Sequence, residues 1–150
     1  MLESLDGILR IYGYPGLFIA SFLASTILPF GSETIVSYLV SQGFDFFTVV
    51  FVASVGNFMG ACTSYYLGLK GRNYLKYLRI SPVEIEKAEK FFSKYGYYVL
   101  LFTWVPLIGD AITVTGGLLR IKFTIFAVLV FIGKFLRYLF FAYLGGIISL

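Results

Sequence analysis

Ser25-Thr26-Ile27-Leu28-Pro29-Phe30-Gly31-Ser32-Glu33 is the stretch that decides how this chain is read. It sets a proline, a glycine and a carboxylate in the middle of an apolar segment that runs from about 17 to 42. Proline removes a helix donor and clashes with the preceding turn, and a nearby glycine loosens the backbone further. The segment therefore reads as two helical arms of about 10 to 12 residues, each roughly 15–18 Å long. That is half of a hydrocarbon core of about 30 Å. Such a segment either re-enters as a hairpin, with protein or water satisfying the freed backbone, or spans as a kinked helix.

A second segment, about 97–119, is broken in the same way by Pro106-Leu107-Ile108-Gly109-Asp110. The other two apolar segments, about 46–69 and 123–149, run unbroken. At 1.5 Å per residue each reaches about 36 Å or more, enough to cross a bilayer. Shifting the chain by 77 residues aligns its halves: Pro29 meets Pro106, Glu33 meets Asp110, Gly56 meets Gly133, and Tyr66-Leu67-Gly68 meets Tyr143-Leu144-Gly145. With one hairpin and one span in each half, the halves enter from opposite faces, which makes an inverted repeat. In transporters built this way, substrate and coupling ion bind where broken segments meet near the midplane.

Composition agrees with a lipid environment. The chain is 59% hydrophobic and 13% charged, against about a quarter charged in soluble domains. Seven of its twelve basic residues (Lys70, Arg72, Lys76, Arg79, Lys87, Lys90 and Lys94) lie between the second and third segments. In such a chain this is the signature of a membrane-flanking loop, not of nucleic-acid binding. Glu3, Asp6 and Arg10 leave no cationic run at the start, so a cleaved leader is not expected. Cys62 stands alone and histidine is absent, which excludes Ser-His-Asp and Cys-His catalysis and most zinc chemistry. No cofactor is expected.

The basic loop has its own structure. Ser81-Pro82-Val83-Glu84 is a capping box with proline at the first helical position, so a helix should run from Pro82 to about Tyr95 and stop at Gly96. Val83, Ala88, Phe91, Phe92 and Tyr95 fall mainly on one side of it, as in a helix lying on lipid headgroups. If 97–119 re-enters, Arg120 and Lys122 join the seven basic residues on one face. The positive-inside rule then places 70–94 in the cytoplasm and both termini outside.

Glu33 and Asp110 are the first functional candidates, because a carboxylate inside an apolar segment must be protonated, paired or hydrated. Capping of the hairpin tips by the same carboxylates is the structural alternative. Lys134 and Arg137 lie three apart on one face of the last span. They could pair with the acids or bind an anionic group such as a phosphate. Asn57 holds the repeat position of Lys134. Gly56, Gly60, Gly68, Gly133, Gly145 and Gly146 would let helices approach closely. Gly109-Asp110 also matches the Gly-Asp pair of intramembrane aspartyl proteases, but the other aspartates, Asp6 and Asp45, read as lying outside the membrane.

Taken together these residues resemble the DedA superfamily of SNARE-associated, or VTT-domain, membrane proteins, and most closely its short YqaA-like branch. The carriers are Ser21 to Pro29 leading to Ser32-Glu33, then Gly56-Asn57 with Gly60. They continue with Lys94-Tyr95-Gly96, Trp104-Val105-Pro106 with Gly109-Asp110, Gly116-Gly117 with Arg120, and Gly133-Lys134 with Arg137-Tyr138. The resemblance implies two opposed re-entrant hairpins, transport of polyprenyl phosphate or phospholipid, dependence on protons, and an essential role for Glu33. Longer members carry arginines around the second proline. This chain has Thr103 and Gly109-Asp110 there, leaving Arg120, Lys134 or Arg137 to meet an anionic headgroup.

The expected architecture is an all-α integral membrane domain over 1–150. It has two spanning helices, two opposed re-entrant hairpins related as an inverted repeat (about 12–69 and 96–146), and a cytoplasmic amphipathic helix at 82–95. The expected function is a non-enzymatic transporter or scramblase in the inner or plasma membrane. Its partners are membrane lipids and protons, not nucleic acid, and so thin a bundle is compatible with a homodimer. A membrane scaffold and a small-ion channel or exchanger are the alternatives.

Overall fold

The computed structural model describes residues 2–25, 31–77, 80–105 and 108–148, with side chains from residue 11 onward except that of Tyr77. Pro29, Phe30, Pro106 and Leu107, where the sequence places its breaks, lie outside the described residues. Among these residues six α-helices follow one another: α1 Leu2–Ala24, α2 Ser32–Ser41, α3 Phe46–Lys70, α4 Pro82–Tyr95, α5 Ile108–Leu118 and α6 Phe123–Ile148. Two 3-10 segments, Arg72–Tyr77 and Gly96–Trp104, complete the described residues, which contain no strand. Among them, α3 and α6 are long and apolar enough to cross a membrane.

These two helices cross the molecule antiparallel. Lys134 reaches Asn57, Phe131 meets Phe58 with ring centroids 5.7 Å apart, and Phe126 meets Tyr65 at 4.4 Å. The outer face of α6 carries Val128, Ile132, Leu136, Phe140 and Tyr143, all exposed, as expected for a stripe in contact with lipid.

Each spanning helix is preceded by a pair of arms whose outer ends lie side by side. In the first pair, α1 runs alongside α3 in the same direction, with Asn57 Nδ2 donating to the Ser21 carbonyl at 3.0 Å and Ser64 Oγ to that of Ser25 at 3.4 Å. The chain returns through α2, and Tyr14 of α1 packs edge-on against Phe44 after α2, 5.4 Å between centroids. In the second pair, Gly96 and Tyr97 line the same surface cavity as Leu119, Arg120 and Lys122.

The 77-residue correspondence recurs in the backbone. Phe44 N donates to Leu39 O at 3.1 Å, and Ile121 N donates to Gly116 O at 3.1 Å. Gly43 and Arg120, at equivalent positions in those turns, both take a positive φ, 89° and 54°. Gly68 on α3 presses on the Val114 carbonyl of α5, and its counterpart Gly145 on α6 presses on the Ser37 carbonyl of α2. Ser37 and Val114 are themselves counterparts, so the packing is exchanged between halves.

Three sequence expectations need correction. The first arm is longer than expected, because α1 begins at Leu2 and carries Pro15 within it. The first arm of the second pair is a 3-10 segment of 9 residues, not an α-helix. A 3-10 helix rises about 2.0 Å per residue, so it covers roughly the depth of a 12-residue α-helix. Finally, α4 forms with its capping box and its stop at Gly96, φ 65°, but it packs on protein. Ile85, Ala88 and Phe92 are buried against α5 and the 3-10 segment, while Val83, Phe91 and Tyr95 face outward.

Candidate functional site

Of the expected site residues, Glu33, Asn57, Lys134 and Arg137 sit where α2 and α3 meet α6, and Asp110 opens α5, which packs on α3. Glu33 and Asp110 occupy the first turn of α2 and of α5, the returning arm of each pair. A helix N-terminus favours a negative charge there. Glu33 does not cap its helix: the N-cap is Gly31, and no side chain caps it. Its carboxylate instead accepts from Arg137 on α6, and the two side chains are each 12% exposed. Removing one member of such a buried pair typically costs about 3–5 kcal/mol, because the other charge is left uncompensated.

One turn before Arg137 on α6, Lys134 is 2% exposed and donates to Asn57 Oδ1, so the two repeat positions hydrogen-bond to each other. Asn57 in turn donates to the Ser21 carbonyl. Asp110 is half-buried and within electrostatic reach of Lys134, and it makes no ion pair among the described residues. The two acids do not pair with each other. Each lies in the field of a different cation of α6.

The other expectations divide. Arg120 is exposed in the turn between α5 and α6, outside this cluster. Asp45 is exposed and caps α3. Its carboxylate accepts from the Thr48 hydroxyl at 2.7 Å and the Thr48 amide at 2.8 Å, which together hold it below the usual carboxylate range. It offers no second acid to Asp110, and the side chain of Asp6 lies outside the described ones. No group of three His, Cys, Asp or Glu side chains gathers among the described residues.

Sequence reasoning missed Tyr138 and Ser32 as parts of the site. The fully buried Tyr138 hydroxyl shares a 2.8 Å hydrogen bond with Ser32 Oγ and faces Ser21 and Asn57. The polar groups thus form one strip, from Lys134 through Asn57 and Tyr138 to Ser32, with the Glu33–Arg137 pair beside it and Asp110 within electrostatic reach of Lys134. The sequence carried both as neighbours of Glu33 and Arg137 in the motifs Ser32-Glu33 and Arg137-Tyr138, without marking either as a site residue. A polar strip holding two acids and two cations, shut between apolar helices, can take up or release a proton and can offer a guanidinium to an anion.

Comparison with known proteins gives this arrangement its family. Residues 28–146 match the VTT domain family. The chain belongs to the VTT-domain, or DedA, family. Within it the chain is 32% identical over 123 residues to the inner membrane protein YqaA of Escherichia coli, covering 81% of this chain and 83% of that one. An uncharacterized Haemophilus influenzae protein is 30% identical over 135 residues, 81% and 80% of the two chains. The undecaprenyl phosphate transporter A of Bacillus subtilis is 30% identical over 143 residues, 89% of this chain and 70% of that one. No solved structure matches. The VTT-domain protein described here is therefore an integral membrane protein of the YqaA-like branch, and among its described residues α3 and α6 are long and apolar enough to cross the membrane.

Proposed function

We propose that this protein carries a lipid phosphate, such as polyprenyl phosphate or a phospholipid, across the bilayer, with protons coupled to the movement. The observation that carries the reading is the Glu33–Arg137 ion pair buried between α2 and α6. A charge pair costs too much to desolvate for packing alone to account for it, since apolar side chains of similar volume are often as stable or more so. Its position beside the Lys134–Asn57 contact, at the crossing of the spanning helices, matches where broken-helix transporters hold substrate and ion. The name of the Bacillus subtilis relative supports a lipid-linked phosphate as cargo. A Lactococcus lactis relative, 27% identical over 148 residues, bears an alkaline phosphatase-like name. A chain without histidine and with one cysteine favours transport over that chemistry.

In this reading α1–α2 and the 3-10 segment with α5 are re-entrant hairpins of an inverted repeat, about 12–69 and 96–146. The paired outer ends, the antiparallel spans and the exchanged Gly68 and Gly145 contacts support it. Loop 70–94 faces the cytoplasm, where its positive charge belongs. Glu33 and Asp110 handle the proton, while Lys134 and Arg137 balance charge or meet the phosphate. Asn57 holds Lys134 in place.

The test is flux of a labelled lipid phosphate in proteoliposomes, comparing the wild type with Glu33→Gln and Asp110→Asn. Each neutral variant should lower proton-driven flux roughly ten-fold, the equivalent of about 1.4 kcal/mol. Unchanged flux in both would refute a carboxylate mechanism, and absence of flux from the wild type itself would favour a scaffold.

A further inference from the structure

Between the 3-10 segment and α6 lies a groove of about 600 Å³, within the range of about 300–1,000 Å³ usual for small-ligand sites. Leu101, Phe102, Trp104, Leu136 and Phe140 line it, and Arg137 is its charged group. Phe102, Trp104, Leu136 and Phe140 are 54%, 43%, 57% and 59% exposed, so the groove opens outward on the face that α6 turns to lipid. Its chemistry suits an amphiphile with a hydrocarbon chain and one anionic group.

Arg137 therefore stands in two places at once, at this groove and on Glu33. A guanidinium's planar fork matches a phosphate as well as a carboxylate. With Glu33 ionised, the buried pair is neutral. A lipid phosphate drawing Arg137 toward the groove would leave a net negative charge in the apolar interior, which is costly. A proton on Glu33 restores neutrality. No other group among the described residues is placed to do this as directly. Of the titratable groups facing the pair, Lys134 is held by Asn57, and the Tyr138 hydroxyl shares its hydrogen bond with Ser32. From α3 and α1, Asn57 and Ser21 face that hydroxyl, and neither titrates. Asp110 of α5 lies in the field of Lys134.

We infer that this groove holds the chain of a lipid whose phosphate head leaves it with a net negative charge, and that the phosphate takes Arg137 from Glu33, so that each bound lipid brings one proton onto Glu33. The inference rests on the lipid-phosphate reading above and adds to it a docking place and a coupling ratio.

Trp104 is the chain's one tryptophan and lines the groove, so it reports occupancy directly. The full chain in nanodiscs of unlabelled phosphatidylcholine would be titrated with phosphatidylglycerol brominated on its chains, whose phosphodiester keeps one charge throughout. Brominated phosphatidylcholine is the neutral arm. In the wild type, the anionic lipid should quench at a several-fold lower mole fraction, and its preference should strengthen as pH falls, by up to about ten-fold per unit for one proton. Glu33→Gln should keep the tight binding and lose the pH dependence, Arg137→Gln should lose the preference, and Leu136→Phe should weaken it while keeping the pH dependence. Equal quenching by both lipids, preference retained in Arg137→Gln, or wild-type pH dependence in Glu33→Gln would overturn the inference. Wild-type flux with unselective quenching would sink the groove and leave transport standing. Selective quenching without any flux would do the reverse.

Discussion

Glu33 and Arg137 stabilise each other because, among the described residues, each is the other's ion-pair partner. Water does not reach them freely, at 12% exposure each, and the surrounding side chains are largely apolar. The consequence is measurable at the residue scale. Arg137→Met leaves a buried carboxylate alone and should cost about 3–5 kcal/mol at pH 8. Lowering the pH should recover much of that loss as Glu33 takes up a proton, and the double variant Glu33→Gln, Arg137→Met should recover it at every pH. Thermal unfolding in detergent, followed by circular dichroism across the cycle, checks this; additive losses would mean that the pair is not coupled. Much of this site was legible beforehand, since an ionisable residue within an apolar run stands out against its neighbours. Tyr138 was visible only as part of the Arg137-Tyr138 motif, because in a chain with 12 tyrosines none reads as a site residue until its hydroxyl is seen on Ser32.

At the scale of the elements, close backbone approach fixes how the arms sit on the spans. A side chain at Gly145 would collide with the Ser37 carbonyl, whereas one at Gly146 would meet only Val40 Cγ1 at 3.9 Å. Gly145→Ala should therefore destabilise the protein by about 1–3 kcal/mol, with Gly146→Ala close to neutral. A melting comparison of the two neighbours decides it; equal melting temperatures would show that α2 is not seated as described. Helices α3 and α6 and the capping box of α4 were legible because apolar length and cap chemistry are local signals. The 3-10 winding of Gly96–Trp104 was not, since its residues suit an α-helix equally and only packing against α6 distinguishes the two. For α4, the sequence pattern merged two apolar faces. Ile85, Ala88 and Phe92 meet protein, and Val83, Phe91 and Tyr95 do not.

The whole molecule is organised by the exchange of arms between halves: α5 packs on α3, and α2 on α6. Sequence alone suggested a repeat through a few matched positions 77 apart, and could not say which arm meets which span, because that contact is long-range. The central claim is that the two arm pairs enter from opposite faces and enclose the polar strip between them. Cysteine accessibility in intact cells tests it most directly, in a Cys62→Ser background with single reporters Gln42→Cys, Lys70→Cys and Lys122→Cys, all at exposed positions. A membrane-impermeant thiol reagent added outside should label Gln42→Cys alone, with Lys70→Cys and Lys122→Cys reacting only after the cells are opened. Labelling of Lys122→Cys from the same side as Gln42→Cys would mean that the second arm pair spans the bilayer, and would contradict the account.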